Sequence, residues 1–296
     1  MKRMYGIIVP MITPIKPDGS VDYESVESLS DYLVQKGVNC LYPCGTTGAF
    51  TYLTVEEREK VVESTIKGAK GRVNVFAQVG GGTTADAVRL AKHAVSAGAD
   101  GIGLLTPTYY PLTDDEMEAY YLTVSKAVPS DYPIYMYSIP GLAINNMRPD
   151  LAKRIAEKTS NIIGMKYSVG SIVDLQRLVA IKDGTFDVMT SSLQMFHAAM
   201  SVGCKGIVSG VCHAYPEKMA VMYKSFVAGD IAKSLEISRE MFPLVDCLAK
   251  QEMAKCYWLM NKNGAIRHNA LRAPMMPITP ETEASLTEAL KGYHAN

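Results

Sequence analysis

The chain has 296 residues, 48% of them hydrophobic and 20% charged, and its thirty basic and thirty acidic side chains cancel. That balance excludes a disordered chain and offers no basic surplus to nucleic acid. No stretch reaches the roughly 18 apolar residues of a membrane span, and the six cysteines are scattered without C-x-x-C spacing, as free thiols in a reducing cytosol would be.

Two basic residues precede an apolar run at the N-terminus. The run is short, broken by Pro10 and Pro14, and followed by no small-residue cleavage site, so residues 6–9 read as a first strand rather than a signal peptide. Short β-branched runs then mark strands at 38–42, 73–79, 101–105, 134–137, 162–166, 186–189 and 206–208. Helical spacing lies between them. Val26, Leu29 and Leu33 share a face, Thr54-x-x-Glu57 reads as a capping box, Thr83 or Thr84 can cap a helix through Val88, Ala91 and Val95, and 172–181 repeats Ile172, Leu175 and Val179. Eight strand–helix units imply a parallel sheet with both faces covered. The fold class is α/β: a closed (β/α)8 barrel, with an open doubly wound sheet as the rival. The alternation ends near residue 225, so 1–225 is read as the barrel and 226–296 as a C-terminal helical appendage with a proline-rich break over 273–280.

In such a barrel chemistry sits at the carboxyl ends of the strands. Strand six ends at Lys166-Tyr167-Ser168, and alternation puts Ile162, Gly164 and Lys166 on one face. An amine held among apolar neighbours there can attack a carbonyl to form an imine; the alternative is a lysine reaching out to solvent. Gly45-Thr46-Thr47-Gly48 follows strand two, where two N–H groups and two hydroxyls can hold a carboxylate, or simply cap a helix. It is no P-loop, and Gly80-Gly81-Gly82 lacks dinucleotide spacing. Tyr137 ends strand five, where a polarised phenol can shuttle a proton or merely pack. His93, His197, His213, His268 and His294 form no metal motif, and Cys40 with Cys44 makes a poor zinc half-site, so no metal is expected.

GIIVPMITPIKPDGSVD, GTTG, TPTYYPLTDDE, YMYSIPG, IIGMKYSVG and LRAPMMPITPE, taken in order, resemble the dihydrodipicolinate synthase/N-acetylneuraminate lyase family over nearly the whole chain. The resemblance implies a class I aldolase that uses pyruvate through a covalent imine and needs no dissociable cofactor. Lys166 matches the imine lysine and Tyr137 the proton-relaying tyrosine. Thr46 and Thr47 match the hydroxyl pair for the pyruvate carboxylate, with Thr46 linking Tyr137 to a second tyrosine. Tyr109 matches that second tyrosine, which the family takes from a neighbouring subunit of a dimer-of-dimers tetramer. Val208 matches the position whose carbonyl faces pyruvate, and Ser168 and Ser191 join the substrate-binding set.

Departures from the family pattern concern the second substrate. Leu142 stands where dihydrodipicolinate synthases carry an arginine for the aldehyde's carboxylate. Leu193 and Gln194 replace the acidic pair of sialic acid lyases, Ala49 replaces a glutamate and Ser138 an asparagine. The preferred reading is therefore cleavage or formation of a 4-hydroxy-2-oxo acid, such as a 2-keto-3-deoxy sugar acid or 4-hydroxy-2-oxoglutarate. Alternatives are dihydrodipicolinate synthase condensing pyruvate with aspartate semialdehyde, N-acetylneuraminate lyase, and a non-catalytic 2-oxo acid sensor. The expected partners are a 2-oxo acid and an aldehyde, with neither nucleic acid nor membrane.

Overall fold

A computed structural model describes residues 1–249 and 251–291. In chain order the elements are β1 (Gly6–Val9), α1 (Tyr23–Gln35), β2 (Cys40–Leu41), α2 (Val55–Ala69), β3 (Asn74–Gln78), α3 (Thr84–Ala97), β4 (Gly101–Leu105), α4 (Asp114–Lys126), β5 (Ile134–Ser138), α5 (Pro149–Ala156), β6 (Ile162–Tyr167), α6 (Ile172–Val179), the single turn α7 (Ile181–Gly184), β7 (Asp187–Thr190), α8 (Phe196–Ser201), β8 (Gly206–Val208) and α9 (Pro216–Val227). All eight strands are parallel, and β1 pairs with β8 as well as β2, which closes the barrel and rules out the open sheet. Three helices follow: α10 (Ile231–Ala249), α11 (Glu252–Lys262) and α12 (Pro280–Leu290). Among the described residues no helix is long and apolar enough to cross a membrane.

Helix starts follow local chemistry. Thr54 accepts from the Glu57 amide while the Glu57 carboxylate accepts from the Thr54 amide, so the capping box forms. Of the two candidate threonines it is Thr83 that caps α3, with its hydroxyl accepting from the Asp86 amide at 3.1 Å. Strand bounds differ more. The second strand is only Cys40–Leu41, and the seventh runs one residue later than its apolar run.

Burial divides the core in two. An outer layer lies between strands and helices, and an inner cluster, including Ile8, Tyr42, Phe76, Tyr135, Met189 and Val208, fills the barrel. β4 gives that interior no side chain: a Cβ on Gly101 would collide with Phe76, and one on Gly103 with the Tyr42 hydroxyl. The expected face of β6 needs one correction. Gly164 faces the interior, against the Tyr135 ring, but Ile162 packs in the outer layer and Ile163 in the inner one. The cause is a register shift between Ile134 and Tyr135, where β5 pairs first with Ile162 and then with Gly164.

The tail after α11 is tied back to the barrel. Arg272 forks onto the Glu57 carboxylate, at 2.6 and 2.7 Å, and also donates to the carbonyls of Gly19 and Tyr52. The Tyr257 hydroxyl reaches the Thr13 carbonyl at 2.5 Å. These bonds place α11 and the segment around Met275 over the barrel mouth.

Candidate active site

The site grows from the β5–β6 pair. Tyr137 and Lys166 stand opposite each other in register, so both side chains rise from one level of the barrel wall. Lys166 is only 5% exposed, and its Nζ lies 4.0 Å from the centre of the Tyr137 ring and 5.7 Å from that of Tyr42. The lysine therefore does not reach out to solvent. Tyr42 and Tyr137 meet edge to face, their centroids 6.4 Å apart, which fixes both rings around the amine.

The turn after β2 brings the third member. Gly48 and Ala49 donate backbone bonds to Gly45 and Thr46, so the turn closes on itself, with Cys44 and Ala49 in left-handed backbone at its two ends. Gly48 is required, because a Cβ would stand 2.8 Å from the Met11 carbonyl. This geometry aims Thr46 at Tyr137, and the two hydroxyls are 3.0 Å apart. Either oxygen can donate, which is what a proton relay needs. Arg58, buried on α2, donates to the carbonyls of Gln78 and Gly80 at the end of β3.

Two adjoining cavities of about 450 and 440 Å³ open above, sharing Thr46, Leu142, Met253 and Met275. Thr47 lines the first and Tyr109 the second. Lys166 and Tyr137 line neither; Thr46 connects the cavities to them. Leu142 is 68% exposed at the mouth. Val208 is buried in the inner cluster at the end of β8. Ser168 follows β6, and its buried hydroxyl has no hydrogen-bond partner among the described residues. Ser191 is half-buried directly after β7.

Tyr109 takes no part in this cluster within its own chain. It is 81% exposed, in left-handed backbone at φ 77, and stacks edge-on against Tyr110. Sequence reasoning missed what holds its loop. The Asn145 side chain donates to the carbonyls of Pro107 and Tyr110 and accepts from the Leu112 amide. One asparagine in the β5–α5 loop, with no motif around it, thus fixes the segment that carries Tyr109.

Other groups singled out in the sequence are structural. Buried His213 accepts from the Ile12 amide through Nε2 and donates from Nδ1 to the Gly210 carbonyl; burial lowers it to about 4, so it stays neutral. His197 bonds Ser234, His93 pairs with Glu63, and His294 lies outside the described residues. All six cysteines are free, and burial pushes Cys44 up to about 11 and Cys40, Cys204 and Cys212 up to about 12, away from thiolate chemistry. Among the described residues no group of three or more histidine, cysteine or acidic side chains could hold a metal. Leu193 is fully buried and Gln194 exposed.

Comparison with known proteins bears on the family and the fold. The Dihydrodipicolinate synthetase family model matches residues 3–293. A 4-hydroxy-tetrahydrodipicolinate synthase from Syntrophobacter fumaroxidans is 32% identical, covering 97% of this chain and 98% of its own. The crystal structure of dihydrodipicolinate synthase from Aquifex aeolicus superposes with a TM-score of 0.91 at 31% identity, over 98% of both chains. YagE from E. coli K12, a prophage protein of the same family solved in complex with pyruvate, gives 0.91 at 25% identity, over 97% of this chain and 98% of its own. This chain belongs to the dihydrodipicolinate synthetase family and is a carbon–carbon lyase of its aldolase type.

Proposed function

We propose that this enzyme joins pyruvate to an aldehyde, or reverses that step, through an imine on Lys166. The observation that carries the reading is a buried amine held 4.0 Å from a tyrosine ring whose hydroxyl meets Thr46 at 3.0 Å. Lys166 attacks the ketone carbon, and water leaves as the protonated imine forms. Loss of a C3 proton gives an enamine, which attacks the aldehyde carbon. Tyr137 gives its proton to the new alkoxide, and hydrolysis of the imine frees the product. The reverse sequence cleaves the C3–C4 bond, with Tyr137 taking the 4-hydroxyl proton. Thr46 and Thr47 receive the pyruvate carboxylate, and Val208, Ser168 and Ser191 complete the pocket floor. The imine itself is the electron sink, so the chemistry calls for no dissociable cofactor. Tyr109 completes the relay from a neighbouring subunit, as a dimer-of-dimers tetramer would allow.

For the aldehyde, the relatives support condensation with aspartate semialdehyde, as in 4-hydroxy-tetrahydrodipicolinate synthesis, better than the 4-hydroxy-2-oxo acid cleavage preferred from sequence. Cleavage remains as a second reading because Leu142, not a cation, stands at the mouth of both cavities. Buried Leu193 and exposed Gln194 offer no acidic pair for a sialic acid tail. Borohydride added with pyruvate should leave a reduced pyruvyl adduct on Lys166, seen by peptide mass spectrometry and lost in Lys166→Ala. An adduct on another lysine, or none on folded protein, sinks the reading. Aldehyde-dependent pyruvate consumption separates an enzyme from a sensor.

A further inference from the structure

Among the described residues the cavity of about 450 Å³ has one charged side chain in its wall, Glu252, the first residue of α11. Gln251 before it takes left-handed backbone, which turns the chain back over the barrel mouth. The Glu252 carboxylate packs on the loop after β8, where a Cβ at Gly210 would collide with it, two residues beyond Val208. Thr46, Thr47 and Leu142 line the same cavity. Among the described residues Glu252 makes no hydrogen bond or ion pair, although it is half-buried. Burial raises its carboxyl above the usual range, while the charge of Lys166 draws it down. A partly desolvated carboxylate with unfilled acceptor positions favours hydrogen-bond donors and repels a second carboxylate.

We propose that Glu252 determines which aldehyde the site accepts, by taking hydrogen bonds from a hydroxyl or ammonium group on the aldehyde partner and turning away aldehydes whose only polar group is a carboxylate. This rests on the imine chemistry proposed for Lys166 and deepens it, because it gives the aldehyde half of the cavity its own recognition group in the wall that also holds Leu142. Both readings of the reaction present such a donor: aspartate semialdehyde has an ammonium group, and a sugar-derived aldehyde has hydroxyls.

The test compares kcat/KM for three aldehydes with pyruvate, in wild type and in Glu252→Gln, which keeps the shape and removes the charge. The aldehydes are aspartate semialdehyde, glyceraldehyde and succinic semialdehyde, the last having a carboxylate and no donor. Wild type should prefer at least one donor-bearing aldehyde over succinic semialdehyde, and Glu252→Gln should narrow that ratio by about tenfold. A loss centred on aspartate semialdehyde identifies the ammonium as the recognised group, and one centred on glyceraldehyde identifies the hydroxyls. Borohydride trapping of pyruvate on Lys166 is run on both proteins. A ratio unchanged within about twofold, with normal trapping, overturns the role of Glu252 while leaving the imine chemistry standing. Absence of trapping in wild type overturns the imine reading, and this inference falls with it. Should Glu252→Gln not fold, Glu252→Ala is read by the same ratio.

Discussion

Removing one oxygen from Tyr137 isolates the proton step. Tyr137→Phe keeps the edge contact with Tyr42 and the ring over Lys166, and deletes only the 3.0 Å bond to Thr46. Thr46 is half-buried and lines both cavities, so its freed hydroxyl can turn to solvent. Folding stability should therefore fall by only about 1 kcal/mol, the net worth of one neutral hydrogen bond. Turnover should fall far more, by roughly 10²–10⁴, which corresponds to about 3–5 kcal/mol of barrier. The excess of the second figure over the first is the signature of chemistry rather than packing. Thr46→Val extends the test, compared on kcat because KM can also rise through the lost carboxylate contact. Alone it should lower kcat; in the Tyr137→Phe background it should lower it little further, since Thr46 acts through a hydroxyl already gone. Steady-state assays with pyruvate and an aldehyde, alongside urea unfolding, give both quantities. Turnover of Tyr137→Phe within about threefold of wild type, or losses that add in full, would refute the relay.

Assembly and pH make two further predictions. Tyr109→Phe and Lys166→Ala subunits, each poorly active alone, should regain activity when mixed, because a mixed site can hold both native residues; a mixture as inactive as its parents removes the shared-site role of Tyr109. His213 stays neutral in the fold, with its value lowered from 6.5 to about 4, while the unfolded chain takes up a proton. Its contribution is complete above pH 6.5 and is lost as pH falls toward 4, roughly 3 kcal/mol in all. His213→Gln should flatten the decline of urea stability between neutral and mildly acidic pH, and an equally steep decline would place the effect elsewhere.

The barrel was legible because its signals are local. The capping box at Thr54 and the β-branched run ending in Lys166 can be read from a few neighbouring residues, and both formed. The face of Ile162 was not legible, since a register shift depends on how β5 and β6 meet across the barrel. Lys166, Tyr137 and Thr46 were found one by one at strand ends, and the fold brings them together. Asn145 and Glu252 were missed for the same reason as each other. What they meet lies far along the chain: Pro107 and Tyr110 are bonded by Asn145, and Thr46 and Leu142 line one cavity with Glu252. No periodicity or short spacing records such a meeting.

The tie from Arg272 to Glu57 has a consequence for how this enzyme can change. The amine, the phenol and the threonine pair ride on barrel strands and one tight turn, where a single added methyl, as at Gly48, would strike backbone. Much of the cavity wall, from Gln251 to Ala254 and again at Leu271, Met275 and Met276, belongs to chain that contributes no strand. Substitutions in that wall can reshape the mouth without shifting a single strand register. On the proposed chemistry the pyruvate end is thus mechanically conservative and the aldehyde end free to drift, and a library confined to residues 251–254, 271, 275 and 276, which spares the Arg272 tie, should yield altered aldehyde preference at far lower cost in folded protein than one aimed at the barrel.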